Sequence, residues 1–287
     1  MPIHPTAVID AAAQIDPEAD LGPFVVIDGD VTVGPRCKLA AGVIVYGPTS
    51  IGAGTQIHAH AVIGDVPQDR TFHGTESSVR IGEDCIIREG ATIHRGTMAG
   101  SETVIGDRCF IMSNAHVGHN CHLEDDVTMI SGALLGGHVH VGSRAVISGN
   151  SAVHQFVRIG EFAMISGMAK VVQDIPPFFM TDRDGALVGV NRVGLLRGGF
   201  TSAEREEIKA AYRVVYRTGA NRLDTLKMLS EMVKTDAGKK LIAFLSQNSR
   251  RGVAAAAVVA RVKPADDPSQ VSQTEKPAED SPVKCAE

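Results

Sequence analysis

Residues 3–33 read IHPTAVIDAAAQIDPEADLGPFVVIDGDVTV, and every sixth residue from Ile3 onward is aliphatic. The same phase runs to residue 171 and fails only at Asp69, Thr75 and Ala99. The aliphatic positions are Ile3, Ile9, Ile15, Leu21, Ile27, Val33, Leu39, Val45, Ile51, Ile57, Ile63, Ile81, Ile87, Ile93, Ile105, Ile111, Val117, Leu123, Met129, Leu135, Val141, Ile147, Val153, Ile159, Ile165 and Val171. A period of six residues is typical of a parallel β-helix, in which each unit forms one short strand and one turn. Three units then close a triangular coil of about 18 residues, with the aliphatic side chains pointing to its axis.

The position two residues before each aliphatic residue is usually small, which keeps the predicted coil narrow. Four of the five cysteines, Cys37, Cys85, Cys109 and Cys121, occupy this position. A thiol there behaves as a small buried hydrophobic group. Because the chain has no CxxC pair, we expect reduced thiols, no structural metal site and a cytoplasmic location.

The period is interrupted over residues 64–80 and 95–103. These segments are predicted to be loops that leave a rigid scaffold, and functional residues are concentrated in loops of this kind. The repeat ends at QDIPPFFM, residues 173–180, because a proline cannot donate to a strand ladder. We therefore predict a β-helix domain over residues 1–175, followed by a connecting loop over residues 176–200.

A small helical domain is predicted over residues 201–262. Thr201 and Glu204 have the spacing of a capping box, which opens a helix. Three helices are expected, over about 201–218, 222–234 and 236–247. Residues 201–262 carry a net charge of +6, although the whole chain carries −5. This basic surface is either an ordinary solvated face or a docking surface for an acidic partner.

Composition excludes several classes of protein. The chain has 287 residues, of which 44% are hydrophobic, and this is enough apolar material for a folded core. It has no run of about 18 apolar residues, so no membrane span is expected. The net charge of −5 argues against a nucleic-acid-binding protein. Residues 263–287 are polar and rich in proline, and we expect a disordered tail there.

Histidines are unusually frequent, with 11 in a chain that has 3 tyrosines. Six of them fall late in the repeat: His116, His119, His122, His138, His140 and His154. Residues about 18 apart lie on the same face of neighbouring coils, so we expect these side chains to form one patch. They are exposed turn residues, ligands of a metal ion shared between subunits, or general bases for acyl transfer. A neutral imidazole suits the last role near pH 7.

Several longer motifs resemble one family closely. They are IHPTAVID, GDVPQD, IREGATIHRGT, SNAHVGHNC, GGHVHVG, SAVHQFVRIG, QDIPPFFM, GVNRVGLLRGGF and SRRG, in this order from residue 3 to about residue 253. In these motifs the chain is similar to the acyl-carrier-protein–UDP-N-acetylglucosamine O-acyltransferases, which start lipid A biosynthesis. The resemblance implies an all-β solenoid plus helices, namely a left-handed parallel β-helix with a small C-terminal helical domain. It also implies a homotrimer with active sites between subunits.

The resemblance implies a reaction and assigns roles to residues. A (3-hydroxy)acyl chain passes from acyl carrier protein, docked on the basic helices, to the 3-hydroxyl of UDP-N-acetylglucosamine. His119 matches the general base, and Gly137 matches the backbone N–H that stabilises the oxyanion. The other matches are substrate-binding positions: Gln68, Asp69, His116, His138, His154, Gln155, Asn191 and Arg197. No metal and no cofactor is implied, because the acyl carrier protein is a co-substrate.

Four positions depart from the family pattern. Asn120 stands where an aspartate usually follows the base, and Thr71 stands where a lysine is common. Val193 and Gly198 replace a carboxylate and an arginine often found near the nucleotide. These departures leave open an N-acyltransferase acting on a 3-amino or acylated sugar nucleotide, a non-catalytic paralogue and a metal-dependent hydratase. Gly167 matches a position where a small residue leaves room for a long acyl chain.

Overall fold

The computed structural model describes residues 3–257, which form short strands and four helices. The strands in chain order are β1 (Val8–Ile9), β2 (Gln14–Ile15), β3 (Asp20–Leu21), β4 (Val26–Asp28), β5 (Val31–Val33), β6 (Lys38–Leu39), β7 (Ile44–Tyr46), β8 (Thr49–Ile51), β9 (Gln56–Ile57), β10 (Val62–Asp65), β11 (Ser78–Ile81), β12 (Ile86–Ile87), β13 (Thr92–His94), β14 (Glu102–Ile105), β15 (Phe110–Ile111), β16 (His116–Val117), β17 (His122–Leu123), β18 (Thr128–Met129), β19 (Leu134–Leu135), β20 (His140–Val141), β21 (Val146–Ile147), β22 (Ala152–Val153), β23 (Arg158–Ile159), β24 (Met164–Ile165), β25 (Lys170–Val171), β26 (Phe179–Thr181) and β27 (Leu187–Val190). Such short strands are expected where a six-residue unit supplies one strand and one turn.

The strands form three sheets that run along the sides of a prism. Every third strand belongs to the same sheet. The first sheet takes every third strand from β1 to β25, the second takes every third strand from β2 to β23, and the third takes every third strand from β3 to β24. Successive coils pair in parallel at a spacing of 18 residues, as Val8 does with Val26 and Thr128 with Val146. The predicted parallel β-helix and its period are therefore confirmed.

The aliphatic ladder fills the inside of the prism. From Leu21 to Val171, each aliphatic residue of the repeat has at most 4% of its surface exposed. The cysteines of the repeat are buried beside this ladder as free thiols. Burial of apolar surface contributes about 25 cal/mol per Å², so the ladder is the main force that holds successive coils together.

The corners of the prism require left-handed backbone. Asn120, His138 and Phe156 adopt φ angles of 58, 60 and 65° at three successive corners of one edge. They are 18 residues apart, so their side chains project from the same edge in a column. This edge carries the site described below.

The prediction of a connecting loop over residues 176–200 is wrong, because most of this segment is regular. Strands β26 and β27 form an antiparallel pair, and β26 pairs in parallel with β24 to extend the third sheet. Helix α1 (Arg192–Arg197) follows. The proline pair ends the repeat, but Phe178 and Phe179 are buried and hold the chain against the last coils.

Three longer helices follow: α2 (Ser202–Arg217), α3 (Arg222–Met232) and α4 (Asp236–Ser246). The predicted capping box is present, since Thr201 Oγ1 accepts from the Glu204 N–H at 3.3 Å and the Glu204 carboxylate accepts from the Thr201 N–H at 2.7 Å. Tyr212 of α2 packs edge-on against Phe179, with ring centroids 5.1 Å apart. Its hydroxyl donates to the Leu187 carbonyl oxygen at 3.2 Å. These contacts join the helices to the end of the solenoid.

After α4 the chain returns to the solenoid. Val253 pairs in parallel with Asp174, and Ala256 pairs with Leu187. The segment after α4 thus pairs with the end of the solenoid, and the described residues up to Ala257 belong to one compact unit. Residues 258–262 of the predicted helical domain, and the predicted tail over 263–287, lie outside the described residues.

Two loops leave the solenoid where the period breaks. The first loop lies between β10 and β11, and the second lies between β13 and β14. The loops span residues 66–77 and 95–101, which lie inside the predicted limits of 64–80 and 95–103. They are shorter than predicted because the flanking strands extend into those limits.

Among residues 3–257, no helix has the length and apolar character needed to cross a membrane.

Candidate active site

A cavity of about 330 Å³ lies at the edge of the prism, beside the first loop. It is lined by Gln68, His94, His116, Gly118, His119, Gly136, Gly137, Val153, His154 and Gln155. The structure therefore brings six of the ten predicted site residues into one cavity. Asp69 and His138, two further predicted residues, contact the His119 ring from outside this lining.

His119 is positioned by a different group at each ring nitrogen. Its Nδ1 lies 3.0 Å from Asn120 Oδ1, and its Nε2 lies 3.8 Å from the nearer carboxylate oxygen of Asp69. An amide oxygen can only accept, so the neutral imidazole carries its proton on Nδ1. The lone pair of Nε2 is then available as a base.

Gly137 lies one coil further on, directly against the His119 ring. A Cβ at Gly137 would stand 2.3 Å from His119 Cε1 and 2.4 Å from Nε2, so any side chain here would displace the His119 ring. Within residues 3–257, no acceptor takes the Gly137 N–H. A free backbone N–H beside a base is suited to stabilise an oxyanion that develops there.

The first loop brings a carboxylate to the base. Asp69 Oδ1 accepts from both the backbone N–H and the hydroxyl of Thr71, each at 2.8 Å. These hydrogen bonds hold the pKa of Asp69 below its usual range. Thr71 therefore orients an anionic carboxylate that faces His119.

Arg95 ties the first loop to the solenoid. Its Nη1 donates to the Gly47 carbonyl oxygen at 2.9 Å, and its guanidinium lies over the Phe72 ring, 5.6 Å from the centroid. The neighbouring His94 places Nδ1 at 2.6 Å from the Val66 carbonyl oxygen. The loop is thus held on both sides of Gln68 and Asp69.

His116 forms the wall of the cavity toward the first sheet. Its Nδ1 lies 2.8 Å from Thr92 Oγ1, and its ring centroid lies 5.2 Å from that of His94. Burial, and then the nearby imidazoles of His94 and His119, lower the pKa of His116 to about 4. His116 is therefore neutral at pH 7 and contributes hydrogen bonds rather than charge.

His138 belongs to a column of stacked groups beside the base. Its ring meets the His119 ring edge-on at 5.2 Å and lies nearly parallel to the Phe156 ring at 4.6 Å. Arg250 lies over Phe156, 4.8 Å from its centroid. Burial, followed by the His119 and Arg250 charges, lowers the pKa of His138. The lowered pKa favours the uncharged form of the His138 imidazole beside His119.

Asn191 and Arg197 do not line this cavity. Asn191 is buried, where its Oδ1 accepts from the Gly194 N–H and its Nδ2 donates to the Phe162 carbonyl oxygen, both at 2.9 Å. It thereby caps α1, and Arg197 lies in the last turn of the same helix. Contact of these two residues with a nucleotide stays a prediction.

The expectation that six histidines form one patch is wrong for two of them. His122 and His140 stack with ring centroids 5.1 Å apart on the second sheet, and Glu124 lies 3.5 Å from His140. His122 follows His119 by three residues, and this step carries the chain around the corner onto the next side of the prism. Among residues 3–257, no three His, Cys, Asp or Glu side chains are grouped to hold a metal ion.

Two residues of the site were missed by sequence reasoning. A step of 18 back from His116 gives Met98, but the second loop lengthens this coil, and His116 pairs with Thr92 instead. His94 lines the cavity, and Thr97 Oγ1 donates to Asn120 Oδ1 beside His119. Both are therefore brought to the site from positions that the period does not indicate. Both lie in the motif IREGATIHRGT, which was the available signal.

Two of the family departures lie around α1. A Cβ at Gly198 would stand 2.5 Å from Phe162 Cε1, so a larger residue there requires the Phe162 ring to move. Gly198 therefore leaves the space that the Phe162 ring occupies. Val193 is 60% exposed, and nothing in the structure explains it.

The cavity can perform acyl transfer. It holds a base with an available Nε2 and a free backbone N–H beside that base, and the Asp69 carboxylate outside the lining lies within 4 Å of the base. A base near a hydroxyl generates the nucleophile, and a fixed N–H stabilises the tetrahedral intermediate.

Family comparisons cover both parts of the chain. Residues 174–254 match the family described as UDP N-acetylglucosamine O-acyltransferase, domain 2. Residues 30–65 and 102–137 match the bacterial transferase hexapeptide repeat.

Similar proteins match over nearly their whole length. The acyl-[acyl-carrier-protein]–UDP-N-acetylglucosamine O-acyltransferase of Halorhodospira halophila is 40% identical over 253 residues, which cover 88% of this chain and 98% of the relative. The protein of the same name from Paraburkholderia phymatum is 41% identical over 258 residues, with coverages of 88% and 98%.

Solved structures agree with this relationship. The UDP-N-acetylglucosamine acyltransferase of Francisella novicida is 36% identical with a TM-score of 0.84, covering 88% of this chain and 94% of that chain. The UDP-N-acetylglucosamine O-acyltransferase of Moraxella catarrhalis is 34% identical with a TM-score of 0.85, covering 88% and 99%. These matches confirm the left-handed β-helix with C-terminal helices. The chain belongs to the acyl-[acyl-carrier-protein]–UDP-N-acetylglucosamine O-acyltransferase family.

Proposed function

We propose that this chain transfers a (3-hydroxy)acyl chain from acyl carrier protein to the 3-hydroxyl of UDP-N-acetylglucosamine, the first step of lipid A biosynthesis. The relatives named for this acyl transfer are 40 and 41% identical to it over 88% of its length. The observation that carries the proposal is that His119, with its available Nε2, and Gly137, with its free N–H, lie side by side in one cavity. Attack of a hydroxyl on a thioester needs both groups at one place.

The reaction proceeds through one tetrahedral intermediate. As the sugar oxygen attacks the thioester carbonyl carbon, its proton passes to His119 Nε2, and the carbonyl oxygen becomes an oxyanion. The Gly137 N–H donates to this oxyanion. Collapse of the intermediate breaks the carbon–sulfur bond, and the imidazolium returns its proton to the leaving thiolate. The products are the sugar ester and the thiol of the carrier protein.

The other lining residues bind the sugar. Gln68, His116, His154 and Gln155 offer hydrogen-bonding groups around the base. Asp69 offers an anion that accepts from sugar hydroxyls and stabilises the imidazolium across the 3.8 Å gap. This transfer involves no oxidation or reduction, and we propose that the enzyme needs no cofactor. The buried free thiols support the cytoplasmic location expected from the sequence.

A product assay tests the proposal. The protein is mixed with UDP-N-acetylglucosamine and 3-hydroxyacyl carrier proteins of several chain lengths, and products are identified by mass spectrometry. We expect an acylated sugar nucleotide whose rate falls at least about 10²-fold in His119→Ala, because a general base contributes about 10²–10⁴. If the wild-type protein gave no ester but acylated a 3-amino sugar nucleotide, the acceptor in the proposal would be wrong. Intact substrates in both assays would indicate a non-catalytic paralogue.

We also propose that the carrier protein docks in a basic groove between α1 and α2. The groove has a volume of about 800 Å³ and an apolar floor that includes Leu195 and Tyr212. Its basic lining residues are Arg192, Arg205, Lys209, Arg213 and Arg217. Glu206 is the one acid in the lining, and it is paired with Lys209 at 3.3 Å. A groove of this sign attracts an acidic protein.

Charge reversal tests the docking surface. We expect Arg213→Glu to raise the KM for acyl carrier protein about tenfold or more and to reduce its salt dependence. Turnover of a small acyl-pantetheine thioester should be unchanged, because this substrate has no protein to dock. Lys227→Glu on α3, an exposed residue outside the groove, is the matched control. Equal effects of the two reversals would contradict the assignment of the groove.

The outer sides of the prism support the homotrimer. The first sheet presents mainly apolar residues: Val8, Val26, Ile44, Val62 and Leu134. The third sheet does so in its later coils: Ile86, Phe110, Val146 and Met164. The second sheet is mainly polar: Gln14, Thr32, Ser50, Arg80, His122, His140 and Arg158. In a three-fold ring, each chain touches its neighbours through two different surfaces, and two apolar sides meet that requirement.

Light scattering tests the trimer. We expect a mass of three chains at micromolar concentration for the wild type. Phe110→Glu on the third sheet should dissociate the assembly while circular dichroism retains the β-helix signal. Thr32→Glu on the polar sheet should remain trimeric. A wild-type monomer would refute the proposed assembly.

A further inference from the structure

We propose that Thr97 fixes the orientation of the Asn120 amide and thereby fixes the tautomer of His119. Thr97 is then a positioning residue that acts through Asn120, and it allows a neutral amide to serve where the catalytic imidazole needs an acceptor. This inference rests on the proposed role of His119 as the base.

Three hydrogen bonds meet at one oxygen. Asn120 Oδ1 lies 3.1 Å from the Thr97 backbone nitrogen and 3.0 Å from Thr97 Oγ1. The same oxygen lies 3.0 Å from His119 Nδ1. The backbone N–H of Thr97 can only donate, so the atom that faces it must be the amide oxygen. The nitrogen and oxygen of the Asn120 side chain are therefore distinguished by their chemical surroundings.

The orientation of this amide decides which nitrogen of His119 is basic. With Oδ1 toward the ring, Nδ1 carries the proton and Nε2 has the lone pair, on the side of the cavity and Asp69. With the amide reversed, its NH₂ group would donate to Nδ1 and the proton would move to Nε2. An asparagine in the orienting position of a serine-protease triad places the wrong tautomer and costs about 10⁴-fold in kcat. An asparagine beside a catalytic histidine therefore needs a group that forbids the reversed amide.

The second loop is built to hold Thr97 in place. Ser77 Oγ donates to the Gly96 carbonyl oxygen at 2.6 Å, immediately before Thr97. Immediately after it, the Met98 N–H donates to Ser101 Oγ at 3.0 Å. From the other side, the Asn120 N–H donates to Thr103 Oγ1 at 2.8 Å. Both partners of the Thr97–Asn120 contact are thus anchored by side chains that do not reach the base.

The tautomer itself is the first test. In protein labelled with ¹⁵N-histidine at pH 8, where an ordinary imidazole is neutral, we expect His119 to carry its proton on Nδ1. The His119→Gln spectrum assigns the signal by difference. Asn120→Leu, which offers no acceptor, should shift the signal toward the Nε2-protonated form. A wild-type signal from Nε2–H, or no change in Asn120→Leu, would overturn the inference.

A double-mutant cycle is the second test. Thr97→Val removes the hydroxyl donor, and we expect kcat to fall about fivefold, the factor for one ordinary hydrogen bond, with KM nearly unchanged. Thr97→Ser keeps the hydroxyl and should keep kcat. In an Asn120→Asp background, Thr97→Val should change kcat less than about twofold, because a carboxylate has no N–H group to present. A fivefold loss in both backgrounds would mean that Thr97 only supports the loop, and the inference would fail.

The two tests separate this inference from the proposed function. The tautomer is read without substrate, so it stands or falls whatever reaction the enzyme catalyses. If His119→Ala retained full activity, the role of the base would be wrong, although the NMR result for Asn120 would stand. If His119→Ala were inactive and Thr97→Val had no effect on kcat, only the positioning role would be wrong.

Discussion

Individual residues of the site are constrained by each other rather than by the repeat. Gly137 is constrained in two ways, since its proposed role requires an N–H without an acceptor and its missing Cβ leaves room for the His119 ring. The repeat does not require glycine at this corner, since the same position holds His119 in the coil before and Gln155 in the coil after. The requirement for glycine comes from the His119 ring.

We expect Gly137→Ala to lower kcat by about 10²-fold or more, because the methyl group would displace the base from its position. Stability should fall by no more than about 1–3 kcal/mol, the ordinary range for overpacking. The kcat and the thermal midpoint are measured together. Gly149→Ala is the matched control, since its Cβ would meet the Ser131 carbonyl oxygen at 3.2 Å, far from the base. Equal losses of kcat in the two variants would contradict this role of Gly137.

His116 makes stability depend on pH in a direction that can be worked out. Its pKa is about 4 in the folded chain and about 6.5 when unfolded. Between these values the unfolded chain binds more protons, so stability falls as the pH is lowered from about 6.5 toward 4. After allowance for partial exposure, the loss is on the order of 2 kcal/mol per chain. The thermal midpoint of the wild type at pH 7.5 and 5.0 measures this effect.

The control for His116 is His116→Gln, which keeps a hydrogen-bonding group but does not titrate. Its thermal midpoint should fall less than that of the wild type between the same two pH values. His138 and His140 also have lowered pKa values, and their contribution is common to both proteins. Identical pH dependence in the two proteins would mean that His116 is not the group responsible.

Among the elements, the two loops carry the groups that the solenoid cannot provide. The first loop supplies Gln68 and Asp69, and its position depends on the contacts of Arg95 with Gly47 and Phe72. We expect Arg95→Met to raise the KM for the sugar nucleotide several-fold while the thermal midpoint changes little. Loss of one such hydrogen bond corresponds to about 1 kcal/mol.

The control for the first loop is Arg80→Met on the neighbouring strand β11. Arg80 contacts Glu102 at 3.4 Å with a side chain that is 54% exposed. Such surface pairs contribute little, so KM should be unchanged. If both variants bound the sugar nucleotide like the wild type, the loop would be positioned by other contacts.

The loops show where sequence reasoning succeeds and where it stops. The period locates them, because it fails at Asp69, Thr75 and Ala99. It does not show that the second loop returns Thr97 to Asn120, since that contact depends on the path of an irregular segment. The prediction of a connecting loop over 176–200 also fails. There β26 and β27 are held by long-range contacts of Phe178 and Phe179, which no local sequence pattern indicates.

For the whole molecule, stability resides in the interior ladder. We expect Ile111→Ala to lower the free energy of unfolding by about 2–5 kcal/mol, because Ile111 is fully buried between two coils. Ile9→Ala should cost less, since Ile9 is only half-buried in the first coils. Denaturant titrations of both variants measure the difference. Equal losses would indicate that the end coils are packed as firmly as the middle ones.

At this scale the sequence predicts almost everything about the scaffold. Every sixth residue identifies the ladder, and Cys37, Cys85, Cys109 and Cys121 fall where the interior requires small side chains. The candidate base and Gly137 were assigned by resemblance, and the structure places them together. The period alone could not find them, because it describes what faces the axis and says nothing about what is bound at a corner.

The corner column that holds Asn120, His138 and Phe156 limits how the length of this protein can change during evolution. Inserting one complete coil near the N-terminus would lengthen the prism by about 4.8 Å and leave every catalytic neighbour in place. The same insertion between His119 and Gly137 would preserve the fold equally well, yet it would move the proposed base one further strand spacing away from the Gly137 N–H. Descendants of this chain can therefore gain or lose whole turns outside the site, whereas the coils between Thr92 and Gln155 must keep their number.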